Sequence, residues 1–529
     1  MKKKITLILA LFIMINLQAK KPKLVIGIVV DQMRYDYIDR FWNDFGNNGF
    51  KELINNGYLL KNTQFSYVPT YTGPGHASIF TGTTPSVHGI IANNWYDKHS
   101  KTKVYCAGNG DMHTVCNCEK SVDDVDSKDG KMSPHHMLTT TIGDEMQLFN
   151  PLSKVIGISL KDRGAILSAG HSADAAYWMD SKGEWISSSF YMESLPKWLI
   201  KYQNQNPASS FLKETWNYKD SFSHNLDSLY ELEGAGIIKS TPSGNTILAD
   251  LAVQILKNED LGKDNIADFL AISFSSTDYI GHQYGPHSQE IVDTYIKLDK
   301  DIEKILDYIK NNIGFENTLI FLTADHGVAS EPNELLKNNI PSGYCSSAEI
   351  LEGLTEHLRD HFNFPTDIIK AQEYILDYSN NQLFLNHEFI IENLGLDNIK
   401  VIQELCSEYL LKHKAVKNTY TAYQMHNFQY QDSQHAKIQQ GFNRKRSGDV
   451  IVALQPGWIS KWWENGGTTH GSSYSYDTHV PLIFWGSKIP KGETSKLVNI
   501  KDIAPTVNSI LGISFPNGCT GNPIIEVIK

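Results

Sequence analysis

Thr318-Leu-Ile-Phe-Leu-Thr-Ala-Asp-His-Gly327 carries six strand-forming residues almost directly into an acid, a histidine and a glycine. A continuous apolar run of that length suits a strand buried on both faces, as in a parallel sheet covered by helices. The pattern recurs along the chain. Leu24–Val30 ends at Asp31, Val155–Leu160 ends at Lys161, and Asp268–Ser275 leads to Asp278. Val450–Leu454 and Pro481–Trp485 read alike. Helical stripes lie between these runs. From Ser288 to about Lys310, Leu298, Ile302, Ile305 and Ile309 share one side. Asp502-Ile-Ala-Pro505 opens a short helix through Val507, Ile510 and Leu511, closed by Gly512. Such alternation predicts an α/β fold, a three-layer sandwich around a mostly parallel central sheet. In these folds ligands bind beyond the carboxyl ends of the strands, where the polar residues named above stand.

Bulk properties narrow the function. The chain has 529 residues, 41% of them hydrophobic and 20% charged, and a net charge of −11. That balance excludes a basic nucleic-acid binder, so any anion site must be positive locally. Lys2, Lys3 and Lys4 precede an apolar run from Ile5 to Leu17, with Ala19 at a plausible cleavage point. Residues 1–19 therefore read as a secretory signal peptide, which predicts a periplasmic or secreted protein with no stable membrane association. Six cysteines permit disulfides in that compartment, but their pairing is open. Cys116-Asn-Cys118 has the wrong spacing for a zinc knuckle. Residues from about Tyr96 to Pro134 read as a long decorated loop, and about 331–447 as an inserted cap with its own helices, such as Ile399 to Leu411. The catalytic domain would then span 20–529.

Three segments pair acids with histidines: Asp278-Tyr-Ile-Gly-His282, Asp325-His326-Gly327 and Thr469-His470-Gly471. Asp31 joins them at the end of the first strand. Carboxylate oxygen and imidazole nitrogen together suit zinc. Asp278 and His282 are four apart, so one helical turn lets both reach one ion. Asp325 and His326 cannot share a helix face, but on a loop leaving a strand both can turn inward. An isolated Asp-His-Gly is ordinary turn chemistry, and the convergence of all three segments is what singles them out. His479, near His470, reads as a supporting residue. His135, His136, His357, His361, His413 and His426 read as surface residues.

The stretch Pro69-Thr-Tyr-Thr72-Gly-Pro-Gly-His76 marks a sharp turn, with a helix starting at Ala77 to Thr81. A hydroxyl at a helix start faces free N–H groups that favour an incoming phosphate. A threonine alkoxide is too basic to exist free at neutral pH, and a bound zinc would lower that barrier.

Together, Asp31, Thr72-Gly-Pro-Gly-His76, His88-Gly-Ile-Ile-Ala-Asn93, Asp278 with His282, Asp325-His326-Gly327 and Thr469-His470-Gly471 resemble the alkaline phosphatase superfamily. Their order resembles its nucleotide pyrophosphatase/phosphodiesterase-like branch, and within it the phosphate-irrepressible alkaline phosphatases of bacteria. The resemblance implies an alkaline-phosphatase-like fold and two zinc ions. Asp278, His282 and His470 would hold one ion, and Asp31, Asp325, His326 and the Thr72 oxygen the other. Thr72 would attack phosphorus and form a phosphothreonine. Asn93 would bind a phosphoryl oxygen, and Lys161-Asp-Arg163 would grip the doubly charged group of a monoester. Arg and Lys suit that charge better than they suit a diester. The resemblance thus implies a monomeric phosphatase of small-molecule phosphate monoesters, with a phosphodiesterase of the same fold as the alternative.

Overall fold

The computed structural model describes residues 21–117, 127–362, 373–431, 433–486 and 488–528. The signal peptide expected at 1–19 lies outside them. Ten strands form the main sheet: β1 (Leu24–Val30), β2 (Tyr58–Gln64), β3 (Thr114–Val115), β4 (Val155–Ser159), β5 (Ala175–Met179), β6 (Trp185–Ser188), β7 (Asp268–Phe274), β8 (Thr318–Thr323), β13 (His479–Gly486) and β14 (Gly492–Asn499). Their spatial order is β14-β2-β13-β8-β1-β7-β4-β5-β6-β3. The five strands from β8 to β5 are parallel. Antiparallel pairs flank them on both sides, through β13 on one and β6 on the other. Every residue of β1, β7 and β8 is buried, which explains their continuous apolar runs.

Helices α1 (Thr72–Thr81), α2 (Asp162–Ala169) and α8 (Ile503–Leu511) belong to one layer; α1 packs on both of the others. Gly157 of β4 lets α2 approach closely, because a Cβ there would overlap the Ala165 carbonyl oxygen. Helices α3 (Pro242–Asn258) and α5 (Gln289–Asn312) pack on each other as the second layer. The Ser288 hydroxyl caps α5 by accepting from Ile291 N–H, and Leu298, Ile302, Ile305 and Ile309 are buried along it. Helix α4 (Ser276–Tyr284) follows β7 immediately.

Val450–Leu454 departs from expectation. It is not in the main sheet but forms β12 of a separate antiparallel sheet with β9 (Ile375–Ser379), β10 (Gln382–Leu385) and β11 (Val416–Thr421). That sheet, with α6 (Ser347–His361) and α7 (Asn398–Leu411), encloses a second core around Leu354, Leu383, Ile402 and Val450. A short β-branched run looks the same in either sheet, so periodicity alone could not place it. The decorated loop after Tyr96 also contains structure: Asn94–Asp97 and Thr102–Tyr105 form a hairpin. Cys106, Cys345, Cys406 and Cys519 are free, and Cys116 is disulfide-bonded.

Candidate active site

Strand order builds the site. β1 lies between β7 and β8, so the chain leaves three neighbouring strands with Asp31, Asp278 and Asp325 close together. Lys161 follows β4, the next strand across, and its ammonium lies 2.6 Å from Asp31 Oδ2 and 2.5 Å from Asp278 Oδ2. It also sits 4.9 Å from the Tyr279 ring centre. All four charged groups are buried. Asp278 and His282 share a face of α4, with His282 Nε2 3.2 Å from Asp278 Oδ1. His470 Nε2 comes within 3.7 Å of the same oxygen, and His326 Nε2 within 3.5 Å of Asp31 Oδ1 and 3.6 Å of Asp325 Oδ2.

Two clusters have metal-binding compactness: Asp278, His282 and His470, and Asp31, Asp278 and His326. Asp278 stands in both, at the centre of the donor set. Asp325 lies to one side, where its Oδ1 accepts from the Gln32 backbone N–H and its Oδ2 is 3.4 Å from His76 Nδ1. His479 is elsewhere. Its ring stacks on Tyr35 and its Nε2 meets the Lys61 carbonyl.

The three histidines are oriented alike. Nδ1 of His282 meets the Thr468 carbonyl at 2.7 Å, Nδ1 of His470 the Thr70 carbonyl at 2.7 Å, and Nδ1 of His326 the Gly327 carbonyl at 2.9 Å. A carbonyl only accepts, so each Nδ1 carries a proton and the Nε2 of each ring faces the carboxylates. Burial pushes His326 down to about 3 and His470 well below the usual range. Their rings stack 3.5 Å apart, an arrangement suited to neutral imidazoles. Burial opposes charge on His282 as well, but Asp278 raises its pKa.

Burial raises both Asp31 and Asp325, with repulsion from Asp278 adding to it at Asp31 and repulsion from Asp31 at Asp325. Asp278 goes the other way: burial disfavours its charge, but His282 and then Lys161 hold it well below the carboxylate range. Three carboxylates thus face one ammonium. Asp31 Oδ1 and Asp325 Oδ2 are buried without a hydrogen-bond partner among the described residues. Uncompensated buried charge is costly, and oxygen and neutral nitrogen donors around it fit divalent cations.

Thr72 opens α1 rather than preceding it, contrary to the later helix start expected from sequence. Pro74 fits because the first-turn N–H groups need no intrahelical partner. Gly75 is required, since a Cβ would overlap the Asp325 carbonyl oxygen. Thr72 Oγ1 lies 3.4 Å from His326 Nε2. His76 fixes the turn, with Nδ1 2.9 Å from the Thr72 carbonyl and Nε2 2.8 Å from Ser273 Oγ. Asn93 Oδ1 accepts from Gly73 N–H at 2.7 Å. Arg163 donates through Nη1 to the Tyr105 hydroxyl, which donates to Asp162.

Residues 25–473 match the type I phosphodiesterase / nucleotide pyrophosphatase family. The chain belongs to that family. It is 35% identical to alkaline phosphatase PafA of Elizabethkingia meningoseptica, over 96% of this chain and 95% of that one. The crystal structure of wild-type PafA superposes with a TM-score of 0.88, covering 96% and 99% of the two chains at 34% identity. Alkaline phosphatase PhoV of Synechococcus elongatus is 38% identical over 96% of this chain and 93% of its own. A Myroides odoratus protein named calcium-transporting ATPase is 39% identical over 96% and 95%. No helix among the described residues is long and apolar enough to cross a membrane.

Sequence reasoning missed four supporting residues. Gln32, at φ 65°, donates through Nε2 to Asp278 Oδ1 at 2.6 Å. Tyr105 couples Arg163 to Asp162. Trp463 stacks on His282, with ring centres 5.0 Å apart. Ser273 meets His76 from inside β7. Only Gln32 carried a signal, its position beside Asp31.

Proposed function

We propose that this protein is a zinc-dependent alkaline phosphatase that hydrolyses small-molecule phosphate monoesters through a phosphothreonine on Thr72. The observation that carries this reading is the buried Thr72 at a helix start, facing His326, with Lys161 after β4 and Arg163 in the first turn of α2. The PafA and PhoV relatives are named alkaline phosphatases, and one solved PafA variant is substituted at a threonine, an asparagine, a lysine and an arginine. Thr72, Asn93, Lys161 and Arg163 are the same types in the same order.

Asp278, His282 and His470 would hold one zinc, and Asp31, Asp325, His326 and Thr72 the other. Bound there, zinc supplies Lewis-acid stabilisation of phosphoryl, nucleophile and leaving oxygens. Thr72 Oγ attacks phosphorus in line; its bond to phosphorus forms as the ester bond breaks, and the alcohol departs. Water then attacks from the opposite side, releases inorganic phosphate and restores the hydroxyl. Helix α1 directs backbone dipoles at the phosphoryl oxygens. Asn93 adds an amide there, while Lys161 and Arg163 match the second negative charge that a monoester carries and a diester lacks.

The chain is also read as exported after cleavage following Ala19, monomeric, with residues 331–447 as a cap. The test is a set of initial rates on matched aryl monoester and diester substrates, for wild type and Lys161→Ala/Arg163→Ala. Monoester preference that collapses in the double variant supports the reading. Diester preference in the wild type overturns it in favour of a phosphodiesterase. Activity lost to a chelator should return with zinc, and recovery with manganese alone would replace the metal assignment.

A further inference from the structure

Beside His470 the surface opens into a cleft of about 280 Å³, near the lower end of the ~300–1,000 Å³ typical of small-molecule sites. One wall comes from the candidate site: Tyr71 meets the His470 ring edge-on at 5.6 Å, and Trp463 lies flat against His282. The facing wall comes from the second sheet. There the turn between β9 and β10, with Asn380 at φ 52° and Asn381 at φ 56°, lines the cleft together with Tyr378, and Trp458 lines it from a separate two-stranded ribbon. Asn380 is committed to the Asn94 carbonyl, which pins the turn to the catalytic domain.

Two features give the cleft its chemistry. First, its lining contains aromatic rings from both walls and, among the described residues, no lysine or arginine. Its one carboxylate, Asp477, accepts from the Gly471 and Ser472 backbone N–H groups through Oδ2, and its buried Oδ1 has no hydrogen-bond partner among the described residues. A group carrying a second phosphate would find no lysine or arginine among the lining residues; Lys414, outside the lining, lies over the Trp458 ring at 5.7 Å. Second, the Tyr378 hydroxyl is buried and has no hydrogen-bond partner among the described residues. An unpaired buried hydroxyl is costly, and a polar atom on a bound molecule would relieve it.

We infer that this cleft is the leaving-group subsite, selecting monoesters of uncharged aromatic or heteroaromatic alcohols over small aliphatic or multiply phosphorylated ones. The inference rests on the proposed phosphatase reading: Thr72 lies by His326, so in an in-line attack the alcohol would depart on the side of His282 and His470. Aromatic stacking of the alcohol between Trp458 and Tyr71 would supply the selectivity, and Tyr378 would donate to a ring substituent.

The test compares kcat/KM for 3-phenylpropyl phosphate, propyl phosphate and 1,3-propanediol bisphosphate. The ester oxygen is a primary alkoxide in each, so intrinsic reactivity is similar and recognition decides. The expected order is phenylpropyl, propyl, bisphosphate. Trp458→Ala should lower the phenylpropyl value about tenfold, in line with ~1–3 kcal/mol for an aromatic stack, while propyl phosphate stays within twofold. Tyr378→Phe, which keeps the ring, should lower kcat/KM for 3-(4-pyridyl)propyl phosphate but spare 3-phenylpropyl phosphate. Equal losses for phenylpropyl and propyl phosphates in Trp458→Ala, or no wild-type preference between them, overturn the inference. Binding of 3-phenylpropanol, followed by tryptophan fluorescence, separates the two readings. Binding lost in Trp458→Ala in a protein that hydrolyses no monoester keeps the cleft and removes the phosphatase. Hydrolysis of all three esters without such binding does the reverse.

Discussion

Lys161→Met isolates the charge balance of the site, because methionine keeps the side chain's length and removes its ammonium. Without metal, that ammonium faces Asp31 at 2.6 Å and Asp278 at 2.5 Å, and all three groups are buried. Removing one partner of a buried ion pair costs about 3–5 kcal/mol. Unfolding entropy of about 2.1 cal/mol/K per residue over 529 residues gives about 1.1 kcal/mol/K. The metal-free variant should therefore melt about 3–5 °C below metal-free wild type. With zinc bound, Asp31 and Asp278 would be neutralised by the cations, and a lysine beside them would be repelled rather than needed. The zinc-saturated variant should then melt within about 1 °C of zinc-saturated wild type, or above it. The assay is scanning calorimetry of both proteins, chelated and zinc-saturated, at matched scan rates because large proteins often unfold irreversibly. Equal depressions with and without zinc would refute the reasoning. Lys161 would then act through packing on Tyr279, and the three carboxylates would not be a cation site.

Gly75→Ala should cost about 100-fold in kcat/KM with secondary structure retained by circular dichroism, since displacing Thr72 by even 1 Å misaligns an in-line attack. Tyr105→Phe removes the hydroxyl that holds Arg163 near Asp162; the monoester rate should fall about tenfold, the worth of one charge-assisted hydrogen bond, and the diester rate should barely change. Asp301 is buried, accepts from Thr246 Oγ1 and is pushed up to about 7 by burial, against Lys304 and Lys297 and with Asp250. Its folded form therefore holds a proton that the unfolded chain releases near pH 4. Wild-type stability should fall from about pH 4 to about pH 7 by a few kcal/mol from this group alone. Asp301→Asn should remove that slope, which denaturant midpoints measured across the range will reveal.

Much of this was legible because burial on both faces leaves an unambiguous mark. β1, β7 and β8 read as continuous apolar runs, and the acids that follow them mark the carboxyl ends of three adjacent strands. The stripe of α5 and the αL glycine that ends α8 were equally plain. Two readings failed for different reasons. Val450–Leu454 has the composition of a central strand, yet its partners are β10 and β11 of the separate sheet, which no local pattern announces. The start of α1 was hidden by Gly73, Pro74 and Gly75, residues of poor helix propensity, and tertiary packing overrides that preference here.

What stayed invisible is the half of each site residue that faces away from the chemistry. His282, His470 and His326 could be picked out as donors from residue type alone. Their tautomer, however, depends on the carbonyls of Thr468, Thr70 and Gly327, and two of those lie on remote loops. Asp278 can serve both candidate clusters because Gln32 and Lys161 approach it from two other strand ends. A sequence lists ligands one at a time, whereas the affinity and order of a metal site are properties of the carbonyls, amides and counter-charges that hold those ligands still. The sharper target for mutagenesis is therefore that outer set. Replacing Gln32 or Tyr105 leaves every donor in place, so a loss of activity there measures orientation rather than ligation.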